Sequence, residues 1–283
     1  MGMKAIVPSS SSRDLAIALA AELGLPLSVP EYRRFPDGEI YVRVDSTLDS
    51  AIVVGNTWPN DSLIELLLIL DALSNVGAET VTVIPYLGYG RQDRAFLPGE
   101  PVSARVVADA ISRMTRGVVL VDPHSYLDVS YFSVKTMVAT AFPGIGERFR
   151  EEGVDLVLAP DKGRAREAAQ VGRMIGSDYA HLEKRRIDAE HVEMTGDVDF
   201  EGRVVGILDD IISTGGTIAM AAERARKGGA RRVVVGCVHG LFVGRARERI
   251  LPLVDAVFSS DTVVTEFTKF SAAPYIANVL GVM

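Results

Sequence analysis

The chain has 283 residues, enough for about two domains that each bury a core. With 37 acidic against 30 basic residues it carries a net charge of −7, which argues against a general nucleic-acid binder, and no helix-turn-helix or zinc spacing appears. The hydrophobic fraction of 48% is that of a globular protein, and no apolar run approaches the ~20 residues of a membrane span. The opening MGMKAIVPSSSSRDL has no apolar signal core. The lone Cys237, inside the apolar run VVVGCVHG, reads as a core thiol and points to a reducing, cytoplasmic setting.

Strand and helix then alternate. Lys4–Pro8 reads as a strand and Ser12–Leu23 as a helix, with N-cap candidates at Ser9–Ser12. Ile40–Val44 and Ala51–Gly55 are strands, Leu63–Asn75 an apolar helix, Thr80–Pro85 a strand, Ser103–Met114 a helix and Gly117–Val121 a strand. After the Pro- and Gly-rich Phe142–Gly146 the pattern restarts, with strands at Asp155–Leu158 and Tyr179–Glu183 around a helix at Arg164–Ile175. The stretch Val204–Ala230 follows, then a strand at Arg232–Val238, a helix near Arg245–Ile250, a strand at Ala256–Ser259 and a C-terminal segment. Such alternation predicts an α/β protein of two tandem, doubly wound parallel-sheet domains, residues 1–145 and 146–283. Ligands in such sheets bind beyond the carboxyl ends of the strands.

Six stretches carry candidate chemistry. In Tyr32–Val44 (YRRFPDGEIYVRV), Pro36-Asp37-Gly38 is turn chemistry, and a plain hairpin accounts for that much. Its tip also gathers Phe35, Asp37 and Glu39, an aromatic face beside two acceptors that can stack on a purine and accept its amine. In Pro85–Val102 (PYLGYGRQDRAFLPGEPV), Arg91, Gln92 and Arg94 concentrate donors in a long loop, where function tends to lie. Val118–Ser125 (VVLVDPHS) places His124 at a strand's end, although a lone histidine is often structural. In Leu156–Arg166 (LVLAPDKGRAR), Asp161 can cap the helix, whereas Lys162 and Arg164 oppose its dipole, so something other than helix stability favours them. Glu183–Ile187 (EKRRI) reads as a solvated charge run or a mobile cationic lid.

The sixth stretch organises the rest. Val204–Leu208 is an apolar strand, Asp209 and Asp210 follow, and Ser213, Thr214, Gly215, Gly216 and Thr217 precede the Ala-rich helix Ile218–Lys227. Backbone donors at that helix N-terminus favour an anion, the glycines allow close approach, and the hydroxyls add donors. No Gly-Lys-Ser/Thr follows, so this is not a Walker loop. Two carboxylates would repel a phosphate, and accepting hydrogen bonds from the vicinal hydroxyls of a ribose suits them.

LDDIISTGGTI resembles the phosphoribosyl-binding loop of type I phosphoribosyltransferases and of ribose-phosphate diphosphokinases. FPDGE, PYLGYGRQDR with PVSAR, DPHS, APDKG and KRR resemble, in order, the further motifs of the diphosphokinases over nearly the whole chain. Ordinary phosphoribosyltransferases lack the adenine hairpin and the second domain. The resemblance implies domains of phosphoribosyltransferase type and transfer of diphosphate from ATP to ribose 5-phosphate, giving 5-phosphoribosyl 1-diphosphate and AMP. It implies adenine held by Phe35, Asp37, Gly38 and Glu39, often completed from a neighbouring subunit of a homodimer or larger homo-oligomer. Arg91 and Gln92 take the ATP side, and His124 and Asp161 place Mg²⁺. Lys184 and Arg186 act at the transferred group, Arg186 also beside the sugar phosphate. Asp209, Asp210, Ser213, Thr214, Gly215, Gly216 and Thr217 hold ribose 5-phosphate. Ser213 stands where many relatives carry Asp, and the chain is shorter than common bacterial and animal forms, so the resemblance does not extend to their phosphate activation and ADP inhibition. A phosphoribosyltransferase consuming the diphosphate and a catalytically silent regulatory homologue are the rival readings.

Overall fold

The computed structural model describes residues 3–186 and 192–282, and for 184–186 and 192–194 the backbone alone. The chain divides into two units, Met1–Thr140 with Ser271–Met283, and Ala141–Phe270.

In the first unit, β1 (Met3–Pro8) leads to α1 (Arg13–Leu23), which buries Leu15, Ala16, Leu19 and Ala20 along one stripe. The chain then touches one side of β1 through a single parallel bridge, Leu27 to Ile6. The antiparallel hairpin β2 (Glu31–Arg34) and β3 (Ile40–Arg43) follows, and β4 (Leu48–Val54) lies on the other side of β1. Next come α2 (Asn60–Asn75), β5 (Glu79–Ile84), α3 (Ser103–Ser112), β6 (Gly117–Val121), α4 (Tyr126–Ser130) and β7 (Lys135–Ala139). Among the described residues the sheet order is β1-β4-β5-β6-β7, all parallel. Val53, Ile84 and Leu120 from the strands pack with Leu66, Leu70, Leu73 and Ile111 from the helices.

The second unit opens with α5 (Phe142–Glu151), β8 (Leu156–Ala159), α6 (Ala165–Ile175) and β9 (Asp178–His181). An antiparallel hairpin, β10 (Glu183–Arg186) and β11 (Val192–Thr195), comes before β12 (Val204–Ile212), α7 (Gly216–Lys227) and β13 (Arg232–Gly240). The unit ends with α8 (Ala246–Ile250), β14 (Ala256–Ser260) and β15 (Thr268–Phe270). Among the described residues its sheet runs β15-β14-β13-β12-β8-β9, again parallel. Val204–Leu208 and Val233–Val238 are buried throughout, as strands covered on both faces require.

The two units therefore repeat one topology: a first strand, an excursion to one side, a hairpin, then strands added on the other side. The expected split at 145/146 differs from this at both ends. Phe142–Gly146, read as a break, starts α5, whose Pro143 sits in the first turn where a missing N–H costs nothing. At the other end α9 (Ala273–Leu280) belongs to the first unit and packs on α1, as α5 packs on α6. Among the described residues no helix is long and apolar enough to cross a membrane.

Candidate active site

In the second unit the chain makes β8, steps outward to β9, and returns to place β12 on the other side of β8. That reversal is the topological switch point at which open α/β sheets bind ligands. β8 pairs with β12 from Leu156 opposite Val205 as far as Leu158 opposite Ile207, whereas β12 continues beside β13 to Ile212 opposite Gly240. The strand is thus four residues longer than the expected Val204–Leu208, because β13 supports it past the point where β8 turns away. Asp209 and Asp210 stand on this one-sided extension, across the crevice from Asp161.

Asp161 caps the turn after β8, accepting from the Gly163 N–H at 3.0 Å. Arg164, at the end of that turn, reaches the Asp210 carboxylate at 2.5 Å and Glu167 at 3.8 Å. The Asp210 N–H donates to Asp209 Oδ1 at 2.9 Å. Burial pushes the Asp209 carboxyl well above its usual range, the negative charge of Asp210 adds to this, and Arg164 opposes both. Burial works against charge on Arg164, yet Asp210 holds its pKa above the ordinary value.

Beyond Ile212 the turn Ser213–Gly215 enters α7, with Gly215 in the left-handed region at φ 77°. Such a φ strains any residue with a β-carbon. Gly215 also lies under α8, where a β-carbon would stand 2.8 Å from Ile250 Cδ1, while a β-carbon at Gly216 would meet nothing within 4 Å. The first turn of α7 holds no acidic residue, and its last turn holds Arg224, Arg226 and Lys227. An open helix N-terminus without a competing carboxylate suits a phosphate. The Ser213 carbonyl accepts from Val243 N–H at 3.0 Å and that of Thr214 from Arg249 at 3.1 Å, fixing the turn.

In the first unit, the β2–β3 hairpin presents Phe35, Asp37 and Glu39 together on an exposed tip. Gly38 N–H donates to the Phe35 carbonyl at 2.9 Å, and Asp37 Oδ1 accepts from Glu39 N–H at 3.1 Å. Arg34 donates to the Gly38 carbonyl at 3.0 Å and pairs with Asp61 at 2.5 Å, tying the tip to the start of α2. In the loop after β5, Tyr89 has φ 69° and its hydroxyl meets Asn60 Oδ1 at 2.5 Å. Arg91 is exposed, and Gln92 Oε1 accepts from the Ser103 hydroxyl at the start of α3. After β6, Asp122 is buried at φ 35° and His124 is exposed. Tyr89, Asp122 and Phe242 are non-glycine residues at positive φ, and each follows the carboxyl end of a strand. Backbone strain of this kind collects at functional sites.

A carboxylate missed in sequence lies between these loops. Ser125 and Asp128 form a capping box on α4, with Ser125 N–H donating to Asp128 Oδ2 at 3.3 Å. Asp128 is buried, and burial pushes its carboxyl up to about 6; Ser125 N–H opposes that, Asp93 adds to it and His124 opposes it. The Tyr131 hydroxyl donates to the Asp93 carbonyl at 2.5 Å, clamping the two loops. The S-x-x-D spacing was the available signal.

The cationic stretch differs from expectation. The sequence predicts one strand over Tyr179–Glu183 and a charged loop after it; in the structure β9 stops at His181 and Glu183–Arg186 forms β10, with Lys184 opposite Met194 and Arg186 opposite Val192. The side chains of Lys184 and Arg186, and residues 187–191, lie outside what the structure describes.

Asp161 offers a carboxylate oxygen suited to a hard cation, and His124 an imidazole in the other unit. Among the described residues no three His, Cys, Asp or Glu side chains gather as a metal cage. A single carboxylate such as Asp161 fits Mg²⁺, which keeps water and takes substrate phosphates in place of protein ligands.

A family model described as the N-terminal domain of ribose phosphate pyrophosphokinase matches residues 4–114. A ribose-phosphate pyrophosphokinase of Thermoplasma acidophilum is 36% identical over 280 residues, 98% of this chain and 98% of its own. One of Thermococcus kodakarensis is 44% identical over 249 residues, 86% of this chain and 89% of its own. The crystal structure of phosphoribosylpyrophosphate synthetase from Mycobacterium smegmatis matches at a TM-score of 0.84 and 29% identity, over 99% of this chain and 98% of that one.

Proposed function

The chain belongs to the ribose-phosphate pyrophosphokinase family, and on that premise we propose what each of its units contributes to the reaction. The enzyme transfers the diphosphoryl group of ATP to the anomeric hydroxyl of ribose 5-phosphate. That oxygen bonds to the β-phosphorus, the bond from the β-phosphorus to the oxygen kept by AMP breaks, and 5-phosphoribosyl 1-diphosphate and AMP result. The observation that carries this reading is the open N-terminus of α7 beside a pair of carboxylates at the switch point.

In this reading the N–H groups and hydroxyls of Ser213, Thr214, Gly215, Gly216 and Thr217 take the 5-phosphate, and the acidic pair accepts from the sugar hydroxyls. Phe35 stacks on adenine, and Asp37, Gly38 and Glu39 meet its edge. Their exposed tip is what a site completed by a second copy of the chain would leave in one subunit, so we assign a homo-oligomer. Arg91 and Gln92 bind the ATP phosphates. Lys184 and Arg186 meet the charge that redistributes on the β-phosphoryl group, positioning and stabilising with little covalent chemistry to perform. Asp161 in the second unit and His124 in the first each offer a ligand for Mg²⁺, which would neutralise phosphate charge. The proposed setting is the cytoplasm.

The test is AMP release from ATP, measured with and without ribose 5-phosphate. AMP and the sugar diphosphate should appear in equal amounts, only when both substrates and Mg²⁺ are present. Product formed without ATP, or AMP released without the sugar, would overturn the reading.

A further inference from the structure

The two aspartates of β12 are not equivalent, and an arginine 46 residues upstream makes the difference. The Asp210 side chain is 4% exposed and the Arg164 side chain 13%, with 2.5 Å between their nearest atoms. Glu167 stands 3.8 Å away on the other side of the guanidinium. Asp209 retains more accessible surface than Asp210, although it too is packed deeply enough for burial to raise its carboxyl. We propose that Arg164 is a positioning residue of the ribose 5-phosphate site, holding Asp210 in a buried ion pair so that Asp209 is the member that offers oxygens to the sugar. The proposal deepens the reading above and rests on it.

The pair explains why a cation sits at the start of α6, where the dipole disfavours one. Asp210, Asp209 and Glu167 all act on this guanidinium, so its charge is already answered by carboxylates before any phosphate arrives. It therefore acts through Asp210, with no contact to substrate. Without Arg164, Asp210 loses the guanidinium paired with it in a buried place, which favours taking up a proton or moving. Only two residues separate Asp210 from Ser213, and β12 has no β8 partner along that stretch to hold it. Displacement of Asp210 passes directly to Asp209 and to the phosphate turn.

The test uses the full chain, with calorimetric binding of ribose 5-phosphate and of an unhydrolysed ATP analogue, turnover, and thermal unfolding. Arg164→Met should weaken ribose 5-phosphate binding at least about tenfold while ATP-analogue binding changes by less than about twofold. Arg164→Lys should recover part of the loss, since it keeps the charge without the fork. Arg164→Met with Asp210→Asn should bind the sugar within about threefold of the weaker single variant, because the two act as one unit. Unchanged sugar affinity in Arg164→Met, or equal losses for both substrates, would overturn the proposal. Should Arg164→Met fail to fold, the double variant, which buries no lone charge, decides: normal sugar affinity there overturns it. A wild-type protein that releases AMP without needing the sugar fails the functional reading itself. A wild-type protein that needs the sugar, with Arg164 variants that bind it normally, fails this inference alone.

Discussion

The β4–α2 turn of the first unit and the β12–α7 turn of the second occupy the same place in the same topology, and only one of them is built for an anion. In the first, Asn56 and Thr57 are buried; Asn56 Oδ1 accepts from Tyr86 N–H at 2.8 Å and the Thr57 hydroxyl donates to the Gly88 carbonyl at 3.3 Å. A β-carbon at Gly55 would stand 2.9 Å from Leu66 Cδ1. The first turn of α2 already carries Asp61. In the second, a β-carbon at Gly216 would meet nothing within 4 Å and the first turn of α7 holds no acidic residue. Both units possess the dipole and the helix-terminal N–H groups that favour phosphate. Room to approach them is what differs, so an anion site is made as much by what is left out as by what is present.

The hairpins differ in the same manner. β2–β3 carries an aromatic and two acids at its tip, and β10–β11 carries Lys184, Arg185 and Arg186. If the second hairpin serves the transition state and the first serves the nucleotide base, Lys184→Ala should lower kcat about a thousandfold or more and leave binding of both substrates near normal. Stopped turnover beside equilibrium binding measures this. A variant that loses binding while keeping kcat would make both hairpins substrate clamps and erase the contrast.

A smaller effect comes from filling the two turns. Gly216→Val should keep its fold and bind ribose 5-phosphate roughly ten- to a hundredfold more weakly, since its side chain stands where phosphate meets the helix N–H groups. Gly55→Ala should do the reverse, costing about 1–3 kcal/mol of stability through overpacking against Leu66 and sparing affinity in the folded fraction. Melting curves and sugar titrations on both variants separate the outcomes. Loss of sugar affinity from Gly55→Ala would show that the closed turn is not inert.

Much of this was legible in sequence where burial acts on both faces of a strand. Val204–Leu208 and Gly117–Val121 are apolar without interruption and were placed to within a residue at their starts. The β10 strand was missed because EKRR has neither alternation nor an apolar run; its partner β11 makes it a strand, and that pairing is not local. Arg91, His124 and Asp161 lie in loops after strands, whereas Lys184 and Arg186 fall within β10 and Asp209 and Asp210 within β12, and the Arg164–Asp210 pair spans 46 positions that no local pattern connects. Helical character near the C-terminus is readable, but its return to α1 in the first unit is decided by packing.

The last contrast concerns buried acids. Asp210 has Arg164 against it, whereas Asp128 Oδ1 has no hydrogen-bond partner among the described residues. Gly90 packs against this carboxylate, and a β-carbon there would stand 2.9 Å from Asp128 Oδ2. Burial raises Asp128 from 3.8 to about 6, so the folded protein holds this proton more tightly than the unfolded chain does. The stabilisation is therefore complete below pH 3.8 and is lost as pH rises through about 6. Asp128→Asn keeps an oxygen for the Ser125 N–H and cannot ionise. Relative to wild type, the variant should gain stability between pH 4 and pH 7, by up to about 3 kcal/mol from roughly two pKa units. Denaturant unfolding at both pH values gives that difference directly, with the other acids cancelling between the two proteins. A difference that stays constant with pH would mean that Asp128 is ionised and compensated like Asp210, and that the two units manage their buried charge alike.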